Sequence, residues 1–136
     1  MKGLPVYSIN DGAFADMENL VDVDIPSSIR HIGAGCFSGC GALTSIDLSK
    51  GVVFIGSKAF ADCTALKEIK LGSQLIHIAD GAFKNCMDLE SLYIPPSVTE
   101  IGEDVFLGCE SIVVSCKKGS YAEQYCIDRG IEYVLK

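Results

Sequence analysis

Long apolar runs are what this sequence lacks most plainly. Stretches such as Ile112-Val113-Val114 fall far short of the roughly 18 residues that a membrane helix needs, so no segment is expected to cross a bilayer. Positive charge is scarce as well. Eleven basic residues against eighteen acidic ones leave a net charge of −7, and the basic ones form no stripe along which a phosphate backbone could lie, which sets nucleic acid aside as a partner. The acid surplus disfavours an anionic membrane surface and serves solubility. The start, Met1-Lys2-Gly3-Leu4-Pro5, has a lysine with no apolar stretch behind it and so lacks the body of a secretory signal. The expectation is a chain that stays inside the cell or whose natural start was trimmed. There is no glycine-rich phosphate loop following a strand. With only two histidines, a nucleophile triad would need chance proximity of serine or cysteine, imidazole and carboxylate.

What the sequence does contain is a period. Ile9, Ile32, Ile55, Ile78 and Ile101 recur every 23 residues, and Phe14, Phe37, Phe60, Phe83 and Phe106 keep the same step. A unit of that length cannot bury its own apolar face but can stack on a copy of itself, so the chain reads as a single-domain solenoid over residues 1–136, with repeats over about 9–116. The frame is isoleucine, three residues, a small residue, phenylalanine, two residues, cysteine, two residues, leucine, two residues, valine or isoleucine, one residue, then leucine or isoleucine. The small slot reads Ala13, Cys36, Ala59, Ala82, Val105, and the cysteine slot reads Met17, Cys40, Cys63, Cys86, Cys109. Alternation at the end of the frame predicts a strand wall that turns Val23 and Ile25 inward and Asp22 and Asp24 outward. Ile29, Val52, Leu75 and Val98 should pack on an opposite wall. Pro26, Ser49, Gly72 and Pro95 mark the corner between the two. Between the lead isoleucine and phenylalanine, glycines such as Gly33 and Gly56 turn the chain into a short 3₁₀ segment.

After Cys109 the pattern stops. Ser120-Tyr121-Ala122-Glu123 has the form of a capping box, so a helix should run to about Arg129, closed by Gly130, with Ile131–Leu135 alternating as a last strand. Residues 117–136 thus read as a C-terminal cap. The other end has little to cover it, since Met1 to Ser8 hold only Leu4, Val6 and Tyr7 as apolar material. Two explanations stay open: the chain is the tail of a longer repeat protein, or the bare first coil is used for self-association.

The run Ile-Gly-x-x-Ala-Phe-x-x-Cys-x-x-Leu-x-x-Ile-x-Leu, as in Ile55 through Leu71, resembles the BspA-like leucine-rich repeats, and the segment from Gly119 to Tyr125 with Gly130-Ile131 is similar to a closing segment common in that family. The resemblance implies an α/β solenoid, a right-handed leucine-rich-repeat coil of about five repeats, found on the surfaces of bacteria and some protozoan parasites, with roles in adhesion and host-protein binding. It implies no catalytic residue and no cofactor. Two features depart from the pattern: Ser28, Gly51, Gln74 and Ser97 stand where ordinary leucine-rich repeats carry asparagine or cysteine, and the secretion signal is missing.

Seven cysteines invite a disulfide or zinc reading, yet four share one repeat position and Cys36 replaces alanine at a buried slot. A straight row at strand spacing cannot wrap a metal tetrahedrally, so buried reduced thiols are expected, with Cys116 and Cys126 the pair to watch. His31 and His77 lie two coils apart with Phe54 between them and cannot chelate one ion together.

Recognition is left to the variable outward positions. On the strand wall these are the rows Asp22, Ser45, Glu68, Ser91 and Asp24, Asp47, Lys70, Tyr93, an acidic end grading into a mixed one with an aromatic anchor, suited to a basic protein partner. On the opposite wall Val53, Phe54, Ile76 and His77 lie on adjacent coils. Facing outward they form an apolar patch; the alternative is that one of these rows leans inward and thickens the core.

Overall fold

The computed structural model describes residues 7–136, in which each 23-residue unit is one turn of a stacked coil. In chain order the elements are β1 (Ser8–Ile9), β2 (His31–Ile32), β3 (Ser45–Leu48), β4 (Phe54–Ile55), β5 (Glu68–Leu71), β6 (His77–Ile78), β7 (Ser91–Tyr93), β8 (Glu100–Ile101), β9 (Val113–Cys116), α1 (Tyr121–Arg129) and β10 (Tyr133–Leu135). A chain that climbs one level per repeat can only pair in parallel, because each strand runs the same way as its predecessor one turn below. Accordingly β1, β2, β4, β6 and β8 form one parallel sheet in which His31 faces Phe54 and Phe54 faces His77. The second wall stacks β3 on β5, and β7 on β9 and β10.

One continuous core fills the space between the walls. Ile32, Ile55, Ile78 and Ile101 line it from the first wall, Ile46, Ile69, Leu92 and Val114 from the second. On the arc that joins them the five phenylalanines stack face to face, with ring centroids 5.2, 5.2, 5.7 and 5.9 Å apart up the column. The expected 3₁₀ segment of this arc does hold i+3 to i bonds, such as Cys36 to Gly33 and Cys40 to Phe37. They are interleaved with bonds to the next coil, where Gly35, Phe37 and Gly39 donate to Ser57, Ala59 and Ala61. Alternate amides are thereby drawn along the stack, so the turns stay separate and no continuous helix forms there.

All seven cysteines are free and buried. Their role exceeds that of small hydrophobes, because each repeat-slot thiol donates to a carbonyl one coil below. Cys40 Sγ lies 3.1 Å from Phe14 O, Cys63 Sγ 3.1 Å from Phe37 O, Cys86 Sγ 3.2 Å from Phe60 O and Cys109 Sγ 3.0 Å from Phe83 O. A thiol is a weak donor small enough for that gap, which explains why the slot is cysteine where an apolar residue of similar size would leave the carbonyl with one bond fewer.

One expectation needs correction, and one register departs from the 23-residue step. The first coil has no strand over Asp22 and Asp24, and among the described residues its one backbone bond to the second coil's wall there is Thr44 N to Val21 O. Asp24 stands one repeat below Asp47, and like charges opposed across a ladder weaken pairing. The fifth coil is one residue short. Ser91 pairs with Val113 and Leu92 with Val114, a step of 22, so Val114 and Cys116, and not Ser115, occupy the inward slots. Of the expectation that Met1 to Ser8 leave the first coil unshielded, residues 1–6 fall outside the described residues.

The cap follows its sequence signals closely. Ser120 Oγ accepts from Glu123 N at 3.2 Å, Glu123 Oε1 accepts from Gly119 N at 2.8 Å, and Gly130 closes α1 with φ of 67°. Ala122, Tyr125 and Cys126 are the buried face of α1, and Tyr125 Oη donates to Gly102 O at 2.8 Å. β10 pairs in parallel with β9 and so adds one more layer to the strand wall.

Candidate functional site

The strand wall carries both expected rows on its outer side. Asp22, Ser45, Glu68 and Ser91 are exposed, as are Asp24 and Lys70, while Asp47 and Tyr93 are half-buried. Parallel register places Ser45 against Glu68 and Asp47 against Lys70. The acidic end is partly engaged. Lys50 Nζ meets Asp24 Oδ1 at 3.1 Å, an exposed pair of small energetic weight. Asp47 Oδ1 accepts from the Ser49 hydroxyl and from Ser49 N, which together hold its carboxyl below the usual carboxylate range. That contact closes a local turn and fixes the direction of the charge.

At the other end the wall is more apolar than the sequence rows suggested. The one-residue shortening of the fifth coil aligns Ser115 with Tyr93, and β10 then places Val134 beside Ser115. Lys136 Nζ sits 5.9 Å from the Tyr93 ring centre, within reach of a weak cation–π attraction. Tyr93, Val113, Ser115, Val134 and Lys136 line a shallow hollow of about 340 Å³. Apart from Tyr93, sequence reasoning missed these residues because it ended the repeat pattern after Cys109 and followed the outward rows no further than Ser91 and Tyr93. The signal was present in Ile112, Val114 and Cys116, whose alternation requires the shorter step.

On the opposite wall the inward-leaning alternative does not hold. Val53 N and Phe54 N both donate to Arg30 O, and Ile76 N and His77 N both donate to Val53 O, a bulge-like pairing that sends two successive side chains to the same side. Both rows therefore lie outside the core: Ile76 is 49% exposed, and Val53, Phe54 and His77 are half-buried. The rings form a ladder, His31 to Phe54 at 5.7 Å and Phe54 to His77 edge-on at 4.8 Å, and His77 Nε2 meets Glu100 Oε2 at 3.3 Å. Phe54 separates the two imidazoles as expected. Among the described residues no three histidine, cysteine or carboxylate side chains converge as a metal site.

A family model described as the BspA-type leucine-rich repeat region matches residues 4–113 in six copies. Among solved structures, the leucine-rich repeat protein of T. pallidum is similar with 36% identity and a TM-score of 0.81, over 85% of this chain and 54% of that one. The pneumococcal vaccine antigen PcpA is 26% identical with a TM-score of 0.65, over 84% of this chain and 36% of its own. A leucine-rich repeat protein from Eubacterium ventriosum is 30% identical with a TM-score of 0.58, over 73% and 33%. The chain thus spans 54% of the T. pallidum protein and 36% of PcpA. The comparison with curated proteins finds no match.

Proposed function

This chain belongs to the BspA-type leucine-rich-repeat family, and from that premise we propose that it is a non-catalytic protein-binding module working at a bacterial cell surface. The strand wall is its recognition face. The observation that carries this reading is the grading of that wall, from the carboxylates of Asp22, Asp24 and Asp47 to the half-buried Tyr93 above its hollow. A ringed, partly desolvated anchor supplies affinity, and the fixed carboxylates steer a basic partner into register.

The test is to probe an array of secreted and cell-surface proteins with the tagged chain and to compare Tyr93→Ala with the parent. Loss of an anchor of this type costs about 2 kcal/mol of binding, so roughly thirtyfold weaker capture is expected with the melting temperature nearly unchanged. Triple replacement of Asp22, Asp24 and Asp47 by asparagine should slow association and flatten its salt dependence. Equal capture by all three proteins would refute the strand wall as the binding face.

A second reading is self-association through the first coil. Among the described residues Ile9, Phe14, Leu20 and Val23 are only partly buried, and a parallel coil edge can template the pairing of another chain. Sedimentation velocity over a range of concentrations decides it: a monomer throughout removes this reading.

A further inference from the structure

Each arc hands its alternate amides to the arc that follows. Gly12, Phe14 and Asp16 donate to Ala34, Cys36 and Ser38, and Gly81, Phe83 and Asn85 donate to Glu103, Val105 and Leu107. The corresponding donors of the fifth arc are Asp104, Phe106 and Gly108, and among the described residues none of the three meets an acceptor. β10 builds a further layer on the strand wall, and α1 packs across β8 and β9. Between them a groove of about 540 Å³ runs over the end of the arc, with Phe106, Cys109, Ile112 and Tyr125 buried beneath it and the half-buried Ile131 beside them. Its rim is acidic. Glu103, Asp104, Glu110 and Glu132 border it against the one guanidinium of Arg129, which Glu103 Oε1 already holds at 3.0 Å and which lies 4.1 Å from the Tyr125 ring centre.

We propose that this groove docks a short basic peptide segment of a partner protein. The peptide sets its carbonyls on the amides of Asp104, Phe106 and Gly108. Its lysines or arginines meet the acidic rim. Main-chain pairing supplies the affinity and the side chains supply the choice, as when a peptide extends a sheet edge. Charge selects the ligand, because an acidic segment would face four carboxylates with one guanidinium already paired. A second copy of this chain is a poor occupant. Its first coil is a full turn with two walls as well as an arc, and α1 and β10 stand where those walls would land.

The experiment is an amide NMR titration of the isotope-labelled full chain with the peptide Lys-Lys-Ala-Phe-Ala-Lys. Its Lys-Ala-Phe-Ala core copies Lys58–Ala61, whose Ala59 and Ala61 carbonyls accept from the arc below. The expected result is movement of the Asp104, Phe106 and Gly108 signals while those of Ser91 and Tyr93 stay in place. The double variant Glu110→Lys, Glu132→Lys should weaken binding by roughly tenfold with the fold retained. The proposal is overturned if the three amides do not move at millimolar peptide, or if Glu-Glu-Ala-Phe-Ala-Glu binds equally well. It is also overturned if the same signals move on raising the protein concentration alone, which would give the groove to a second copy. Tyr93→Ala, which disables the strand wall, should leave this titration unchanged, so the two sites can fail independently.

Discussion

Phe60→Ala is expected to lower the unfolding free energy by about 3–5 kcal/mol, the range for truncating a fully buried aromatic ring. Phe60 is wholly enclosed and stacks on Phe37 at 5.2 Å and on Phe83 at 5.7 Å. Alanine would remove both ring contacts, each worth about 0.5–1.5 kcal/mol beyond area burial, and would leave a hollow that regular coils on either side cannot close. Position in the stack matters as much as size. A solenoid holds together through contacts between neighbouring units only, so a defect in the third coil weakens the link between the two halves. Denaturant unfolding followed by circular dichroism should show a lower midpoint and a broader transition. Phe14→Ala gives the contrast: Phe14 is half-buried and stacked on one side only, and its loss should cost about half as much. Equal losses at the two positions would mean that the column is not a cooperative element.

The same column explains what was legible in the sequence. Apolar slots recurring at a fixed step identify a stacked core whatever the connecting geometry, so the two walls, the phenylalanine stack and the buried thiols could be read directly. The capping signals at Ser120, Glu123 and Gly130 are local and were equally plain. What escaped was set by relations between coils. The missing strand at Asp22 and Asp24 follows from the opposed carboxylate of Asp47 one level up, and the shortened fifth coil shows only when Val114 and Cys116 are paired with Leu92 and Ile94. The outward turn of Phe54 depends on a carbonyl, Arg30 O, that accepts two amides at once, and that of His77 on the same forked bond at Val53 O. Side-chain spacing carries no trace of that bond. The strand wall was thus legible as a face, whereas its hollow beside Tyr93 was not, because Ser115 and Val134 reach it only through the shortened register.

Alkali should unfold the chain through its buried thiols. Burial raises Cys36 to about 11, Cys63 to about 12 and Cys126 to about 11 from an ordinary value of 9.0, since a thiolate in an apolar interior has no water to solvate it. The sign follows from proton counts. Between pH 9 and each folded value the unfolded chain has released a proton that the native chain still holds, so the unfolded state binds fewer protons and stability falls as pH rises. This stability is fully present below pH 9 and is lost progressively up to pH 11 or 12. Each thiol contributes about 1.4 kcal/mol per pH unit across its window, and three acting together approach the roughly 5–15 kcal/mol of a typical domain. A circular dichroism titration should therefore show cooperative unfolding between pH 10 and 11, with thiolate absorbance appearing in the same transition. Cys36→Ala is the discriminating variant. Ala13, Ala59 and Ala82 occupy the same slot in other coils, so alanine fits there and removes one of the linked protons. The alkaline midpoint should move upward while stability at neutral pH changes little; an unmoved midpoint would assign alkaline unfolding to other groups.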